Sequence, residues 1–303
     1  MVKREIYNIR FNAMASSCNV LLVARGDSAA AELAQVAIDE VHRIERKYSR
    51  YRADSVVSRI NGAAGGEWLE LDEETDGLIR YAATLYEISE GRFDISTGVL
   101  RRAWDFSGRS PPRVPTCDEL QGLLALTGWD KVQRDGRSLR LLQAGMELDF
   151  GGIGKEYAAD RAAAALQACG LECGYVNLGG DLSVIGPQPD GAPWPIVIQD
   201  PRNSDASIAG IPVAAGGLAT SGDYERFFEV DGRRYCHILD GRNGYPVQYW
   251  RSVSVLAPLA SAAGSCATIA MLMGEQGLSF LESSGFAYLA QDEQGRIYRK
   301  GLH

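Results

Sequence analysis

The chain has 303 residues, of which 46% are hydrophobic and 23% charged, a balance that excludes general disorder because the sparse apolar content and dense charge it requires are absent. Acidic residues number 39 against 31 basic ones, a net charge of -8, so the average surface repels phosphate and argues against a non-specific grip on nucleic acid. A phosphorylated ligand therefore has to find a local site.

The first residues, MVKREIYNIRFN, alternate charged and apolar side chains and lack the apolar stretch of a secretory leader. No cysteine follows a hydrophobic run as a lipid anchor would require. The expected location is the cytoplasm, with a periplasmic one expected only if a leader has been omitted. Cys18 to Ala24 reads as a short strand, and Ser28 to Lys47 as an amphipathic helix with Leu33, Val36, Ala37, Val41 and Ile44 at helical spacing. Asp72 is placed to cap a second helix ending at Gly91. Ser107 to Pro115 (SGRSPPRVP) is a surface loop, since consecutive prolines support neither ladder nor helix. Thr116 and Glu119 form a capping box for a third helix ending at Gly128.

A strand-turn-strand pattern spans Lys131 to Phe150, turning at Asp135-Gly136, and an alanine-rich helix from Lys155 to Cys169 stops at Gly170. Short strands follow at Gly174 to Leu178, Leu182 to Ile185, Trp194 to Gln199, Arg226 to Val230 and Arg234 to Leu239, the last two flanking the hairpin signal Asp231-Gly232. A strand from Ser252 to Leu256 leads into a helix of small residues, Leu259 to Leu272. Proline, serines and glycines interrupt this late apolar stretch, which falls short of the roughly 20 apolar residues of a membrane span. Hairpins mixed with helices predict an α+β fold. No linker or repeat divides the chain, so one domain over residues 1–303 is expected. The six cysteines lack CxxC spacing and read as small, mostly buried thiols without disulfides or zinc.

Histidine is scarce. His42 lies in a charged helix and reads as a solvated face, and His303 ends the chain. His237 closes a hairpin strand just before HILDGRNGYP, a place where sites are built, although a structural role is the commoner one for a lone histidine. Three further segments carry potential chemistry. LDFGGIGKEYAAD sets Gly151, Gly152 and Gly154 between a strand and a helix, where backbone N–H groups can face phosphate and Lys155 adds charge; close packing through glycine explains the pattern equally well. It is neither a P-loop nor GxGxxG. NLGGD delivers Asp181 from a tight turn or is only a turn. ATSGDYERF packs Thr220, Ser221 and Asp223 into one short connection before a strand.

In combination these segments resemble the ApbE family of flavin transferases, which move FMN from FAD onto a protein threonine or serine. FNAMASSC around Met14, YSRYRADSVVSRIN ending in Asn61, GRFDISTGVLRRAWDF, LDFGGIGKEYAAD, VNLGGD, ATSGDYERF and HILDGRNGYPV follow in the family's order over nearly the whole length. The resemblance implies an ApbE-like, T-fold-related arrangement of mixed sheets with packed helices. It implies FAD as substrate or bound ligand, a magnesium ion on its diphosphate, attack by the acceptor hydroxyl on the phosphorus next to FMN, and departure of AMP. It places Gly152 and Thr268 at the metal, Lys155, Asp181, Thr220, Ser221 and Asp223 near the FAD, Met14 and Tyr51 against the flavin, and His237 as the base. The partner implied is an acceptor protein with a Thr or Ser target.

One departure stands out. The family carries an aspartate four residues before the metal-binding threonine, and here that position is Gly264 in SAAGSCATIAM. A degenerate metal site and weak magnesium binding are therefore expected, with Gly264→Asp expected to tighten it. The glycine after the family's lysine is Glu156, which along with Asp223 or Asp181 is a candidate replacement carboxylate. Two function classes follow: an FMN transferase with an altered metal site, or a non-catalytic FAD-binding homologue acting as a flavin carrier or accessory maturation factor.

Overall fold

The computed structural model describes residues 4–302; His303 lies outside them. The chain opens with an antiparallel pair, β1 (Glu5–Ala13) and β2 (Ser16–Ala24), followed by the helices α1 (Asp27–Tyr48) and α2 (Val56–Gly62), a short strand β3 (Leu69–Glu70) and α3 (Glu73–Ile88). After α4 (Cys117–Leu124) come β4 (Val132–Asp135), β5 (Ser138–Leu141) and α5 (Gly154–Ala168). The second half contains β6 (Gly174–Leu178), β7 (Asp181–Gly186), β8 (Trp194–Asp200), β9 (Asn203–Val213), β10 (Gly216–Gly222), β11 (Phe227–Val230), β12 (Arg233–Cys236) and β13 (Trp250–Ala257). It closes with α6 (Ala260–Met273), α7 (Gly277–Ser284), β14 (Ala287–Asp292) and β15 (Ile297–Lys300). This is the α+β class the sequence predicts.

Eight strands form one antiparallel sheet in the order β1-β2-β6-β7-β10-β13-β14-β15. Successive side chains of a strand point to opposite faces, and along β10 this sends Leu218 and Ala219 into different cores. Leu218 joins Leu182, Val184 and the β8–β9 hairpin residues Trp194, Ile196 and Ile198 on one side. Ala219 joins Val253, Ala263 and Ala267 under α6 on the other. On the helical side α1 packs on α5 and α5 on α6. The small residues of α6 permit this: nearly every side of that helix is buried, which explains why its sequence has no polar stripe. At Gly217 the approach is closest, since a Cβ there would lie 2.0 Å from the Ala260 nitrogen.

Ion pairs knit the helical layer. Glu74 at the start of α3 accepts from Arg43 and Lys47 of α1 and from the Tyr157 hydroxyl of α5, all within 2.9 Å. Arg43 above all, joined by Lys47 and Tyr157, outweighs burial and holds the Glu74 carboxyl down at about 2.

Several expectations need adjustment. The hydroxyls of ATSG lie on β10, not in a loop, and hydrogen-bonding to β13 gives them fixed directions. The second strand of the 131–150 pattern stops at Leu141, after which the only pairing is a bridge between Glu147 and Thr97. The helix begun at Thr116 keeps its capping box but ends at Leu124. All six cysteines are free, but Cys117 and Cys169 are exposed, because each sits on the outer face or end of a surface helix. The Asp231-Gly232 hairpin holds, with both residues at positive φ (51° and 73°) as its tight turn demands.

Candidate functional site

The entrance to α5 is built by long-range clamps. Asn61 of α2 donates to the Leu148 carbonyl at 3.0 Å and accepts the Leu148 N–H at 2.7 Å. Asp149 then accepts the Gly151 N–H and pairs with Arg50, whose guanidinium also lies 5.0 Å from the ring centre of Tyr51. Tyr51 itself is 76% exposed, and its hydroxyl accepts a hydrogen bond from Arg50 at 2.9 Å. Gly152 packs tightly here, since a Cβ would meet the Phe93 ring at 3.0 Å and the ring would have to give way. The helix that follows has no side-chain cap.

Lys155 is the hub. Its ammonium lies 2.7 Å from Asp181, a residue 2% exposed at the head of β7. Gly179 and Gly180, at φ 62° and 99°, make the turn that delivers this carboxylate, and Asn177 braces it by accepting the Gly180 N–H. Asp181 also accepts the Thr220 N–H at 3.3 Å, just past the point where the β7–β10 ladder ends at Leu182 and Leu218. Burial works against the Lys155 charge, but Asp181 and Glu156 outweigh it and hold its pKa at about 12. Burial pushes Asp181 up, against the pull of Lys155.

The turn between β1 and β2 arrives beside this hub. A methyl on Gly179 would touch the Ser16 side chain at 2.8 Å and come 3.7 Å from the Lys155 Nζ. Met14 and Ala15 both adopt positive φ in that turn, and the Met14 N–H is held by Glu45 of α1 at 2.6 Å. An open hollow of about 460 Å³ lined by Ala13, Ala15, Ser16 and Glu45 adjoins it.

Thr220 and Ser221 point to opposite faces of β10. Thr220 shares a 2.7 Å hydrogen bond with Ser254, and Ser221 one of 2.7 Å with Thr268 on α6. Behind them Glu156 is buried, with its Oε2 bonded to nothing, and its side chain presses on Gly264. Burial, reinforced by Asp181, pushes its carboxyl up to about 8. Asp160, one turn further along α5, accepts the N–H groups of Ala260 and Ser261 at 2.9 Å and so caps α6.

His237 follows β12 and is solvent-exposed, although neighbouring atoms crowd around it. Its Nδ1 lies 3.3 Å from the Arg226 carbonyl. With Nδ1 carrying the proton of that bond, Nε2 is the free basic nitrogen. The crowding, together with the Arg226 and Lys155 charges, holds the imidazole below its ordinary value. His42 is not a fully solvated face: it is half-buried against the edge of Phe11.

The structure thus joins Lys155, Asp181 and Thr220 through direct contacts, brings the turn that carries Met14 alongside through Ser16, and links Ser221 to Thr268. Asp223 is different. Its buried carboxylate is taken by both guanidinium nitrogens of Arg202, at 2.6 and 2.7 Å, with Arg234 at 3.7 Å. Sequence reasoning misses Glu45 on α1, Arg50 in the turn after it, and Tyr81 on α3, whose hydroxyl donates to the Ser261 carbonyl at 3.1 Å at the start of α6. Tyr224 was within reach of such reasoning, because Gly222 leaves room where a Cβ would strike the Tyr224 ring at 2.3 Å. Among the described residues no group of three or more His, Cys, Asp and Glu is arranged to hold a metal. A cation here would have to use a lone carboxylate with hydroxyl, carbonyl and ligand oxygens, a set that suits magnesium.

Comparison with known proteins bears on the family and the fold. The family model described as ApbE matches residues 14–290. The FAD:protein FMN transferase of Vibrio cholerae serotype O1 is 32% identical over 277 residues, spanning 89% of this chain and 83% of that protein. The crystal structure of the ApbE protein from Thermotoga maritima is 34% identical, with a TM-score of 0.90 over 98% of this chain and 97% of that one. The flavin transferase ApbE from Vibrio cholerae has a TM-score of 0.87 at 29% identity, over 99% and 98% of the two chains.

Proposed function

Since this chain belongs to the ApbE family, we propose that it transfers FMN from FAD to a hydroxyl of an acceptor protein, acting as one domain over residues 1–303. The acceptor oxygen, of a threonine or serine, forms a bond to the phosphorus on the FMN side; the bond to the bridging oxygen breaks and AMP leaves. The observation that carries this reading is the hub at Lys155: one cation in contact with Asp181, beside the Met14 turn, with its charge felt at His237.

Lys155 faces the diphosphate, and Asp181 fixes where its ammonium can sit. Thr220 and Ser221 offer hydroxyls from a rigid strand, a more exact placement than a loop would give. Met14 and the exposed ring of Tyr51 flank the flavin. Asp223, locked to Arg202, acts on the FAD by holding the β9 arm in place. Nε2 of His237 takes the proton of the acceptor hydroxyl, a step for which a ring kept neutral at physiological pH is suited. The residues present fit a magnesium ion, given the unpaired buried oxygen of Glu156; the Gly152 carbonyl and the Thr268 hydroxyl would be further ligands. When bound, the ion neutralises charge on the diphosphate.

The test is incubation with FAD, magnesium and peptides containing threonine or serine, followed by mass spectrometry for covalent FMN and chromatography for AMP. Equal amounts of both products are expected, and none in EDTA. AMP without flavinylated peptide would reduce the activity to FAD hydrolysis.

A further inference from the structure

Glu156 poses a problem of buried charge. Its side chain is 6% exposed, and its Oε2 has no hydrogen-bond partner. A buried carboxylate left so is costly, by several times the worth of an ordinary hydrogen bond. A proton on Oε2 removes the charge but leaves the oxygen without a hydrogen-bond partner, whereas a cation would satisfy both.

The place where the carboxylate lies is defined by α6. A Cβ on Gly264 would be 2.6 Å from both Cγ and Oε1 of Glu156 and 2.9 Å from Cδ. The glutamate thus fills the volume that a side chain at position 264 would otherwise occupy. Thr268 is one helical turn further along α6, so its side chain and position 264 share one face. Its hydroxyl is already held towards β10 by Ser221. On the other side, Lys155 and Asp181 form their own pair and do not spend a hydrogen bond on Glu156.

We infer that Glu156 is the protein carboxylate of the divalent-cation site, reaching from α5 into the space that Gly264 leaves open on α6. The inference rests on the flavin-transferase reading and deepens it: the carboxylate that position 264 lacks has moved to the facing helix, and Glu156 and Gly264 work as a reciprocal pair. The cation class is a hard, oxygen-seeking one, since the surrounding donors are carboxylate, hydroxyl and carbonyl.

The experiment measures Mn²⁺ binding by calorimetry and electron paramagnetic resonance on the full chain, stripped with EDTA and then saturated with FAD. FAD affinity is measured separately in EDTA. Wild type is expected to bind FAD in EDTA and then one Mn²⁺. Glu156→Gln should weaken Mn²⁺ at least tenfold with FAD affinity in EDTA within about twofold. The swap Glu156→Gly with Gly264→Asp should return Mn²⁺ affinity to within severalfold of wild type. Unchanged Mn²⁺ affinity in Glu156→Gln, or a folded swap that does not bind Mn²⁺, overturns the inference. If Glu156→Gln does not fold, the swap alone decides in the same way. Wild type that binds FAD but no Mn²⁺ removes this inference and leaves the flavin reading standing, whereas wild type that binds no FAD removes both.

Discussion

Asn61 holds Leu148 by both of its backbone polar atoms, across 87 positions of sequence. That pairing lets the chain enter the glycine segment before α5 in one conformation, although residues 142–150 belong to no strand. The consequence is that α2, which carries no chemistry, governs the geometry of Gly152 and Lys155.

Asn61→Ala should therefore cost about 1–3 kcal/mol of stability, the usual penalty for leaving half-buried backbone groups unsatisfied. Urea denaturation measures this. A companion measurement of FAD affinity should show a loss, because Asp149 and Gly151 are released along with Leu148. Stability lost without any change in affinity would confine the clamp to folding.

Lys155→Met leaves Asp181 buried and unpaired, and about 3 kcal/mol of destabilisation is expected. Asp181→Asn alone should cost less, since Lys155 is partly open to water. Combined, the two should cost clearly less than their sum. A double-mutant cycle in denaturant checks the coupling; additive losses would mean that the pair contributes nothing as a pair.

His237→Ala should lower transfer by about 10²–10⁴-fold at saturating FAD, with FAD affinity nearly unchanged. The pH profile adds a second check. Because the imidazole is held below its ordinary value, the neutral, basic form persists on acidification and the acid limb of the rate should fall below pH 6.5. An acid limb centred above that value would indicate another base.

Acid stability should depend on Glu74. Its carboxyl is lowered from the ordinary value to about 2 by Arg43, Lys47 and Tyr157. A depressed carboxyl contributes stability that is present above the unfolded value, near 4.5, and lost as the pH falls towards the folded one. Allowing for its partial exposure, about 1–2 kcal/mol should disappear between pH 5 and 2. Thermal unfolding across that range should show a shallower decline for Glu74→Gln than for wild type.

Gly264→Asp was attractive on sequence grounds as a repair of the metal site. The structure argues the other way: the new side chain would have to displace Glu156 from a closed space and would set two carboxylates against each other. A stability loss of about 1–3 kcal/mol is expected, as for other overpacked interiors. Thermal melts decide between the readings, a raised melting temperature in the presence of magnesium favouring the repair.

The sequence made the helices and hairpins with local signals legible: the Thr116 capping box, the Asp72 cap and the Asp231-Gly232 turn are all in place. Strands without such signals were not. β9 and β10 lack a hairpin dipeptide of the Asp-Gly kind between them, and β14 and β15 are recognised as strands only through their partners in the large sheet. The glycine motifs drew attention to the turn before β7 and the entrance to α5, where the structure sets Lys155 against Asp181. What they could not convey was which carboxylate faces which cation. Asp223 reads from its motif as a ligand contact, yet Arg202, on the far side of a hairpin, has claimed it. Glu156 and Gly264 each read as a loss when taken alone, and only their contact across two helices shows that they are complementary.

The cap that Asp160 places on α6 ties the start of that helix to a distant part of the chain. The residues that would terminate α6 locally are absent: Leu259 offers no side-chain oxygen at the position where helices ordinarily find one. The first amides of that helix are instead satisfied from 100 residues earlier in the chain. During synthesis, α5 emerges well before its client and must hold a carboxylate in readiness, while α6 gains its firm beginning only once the intervening strands have folded back. The start of α6 thus depends on a contact made across 100 residues and is complete only when α5 and α6 have met.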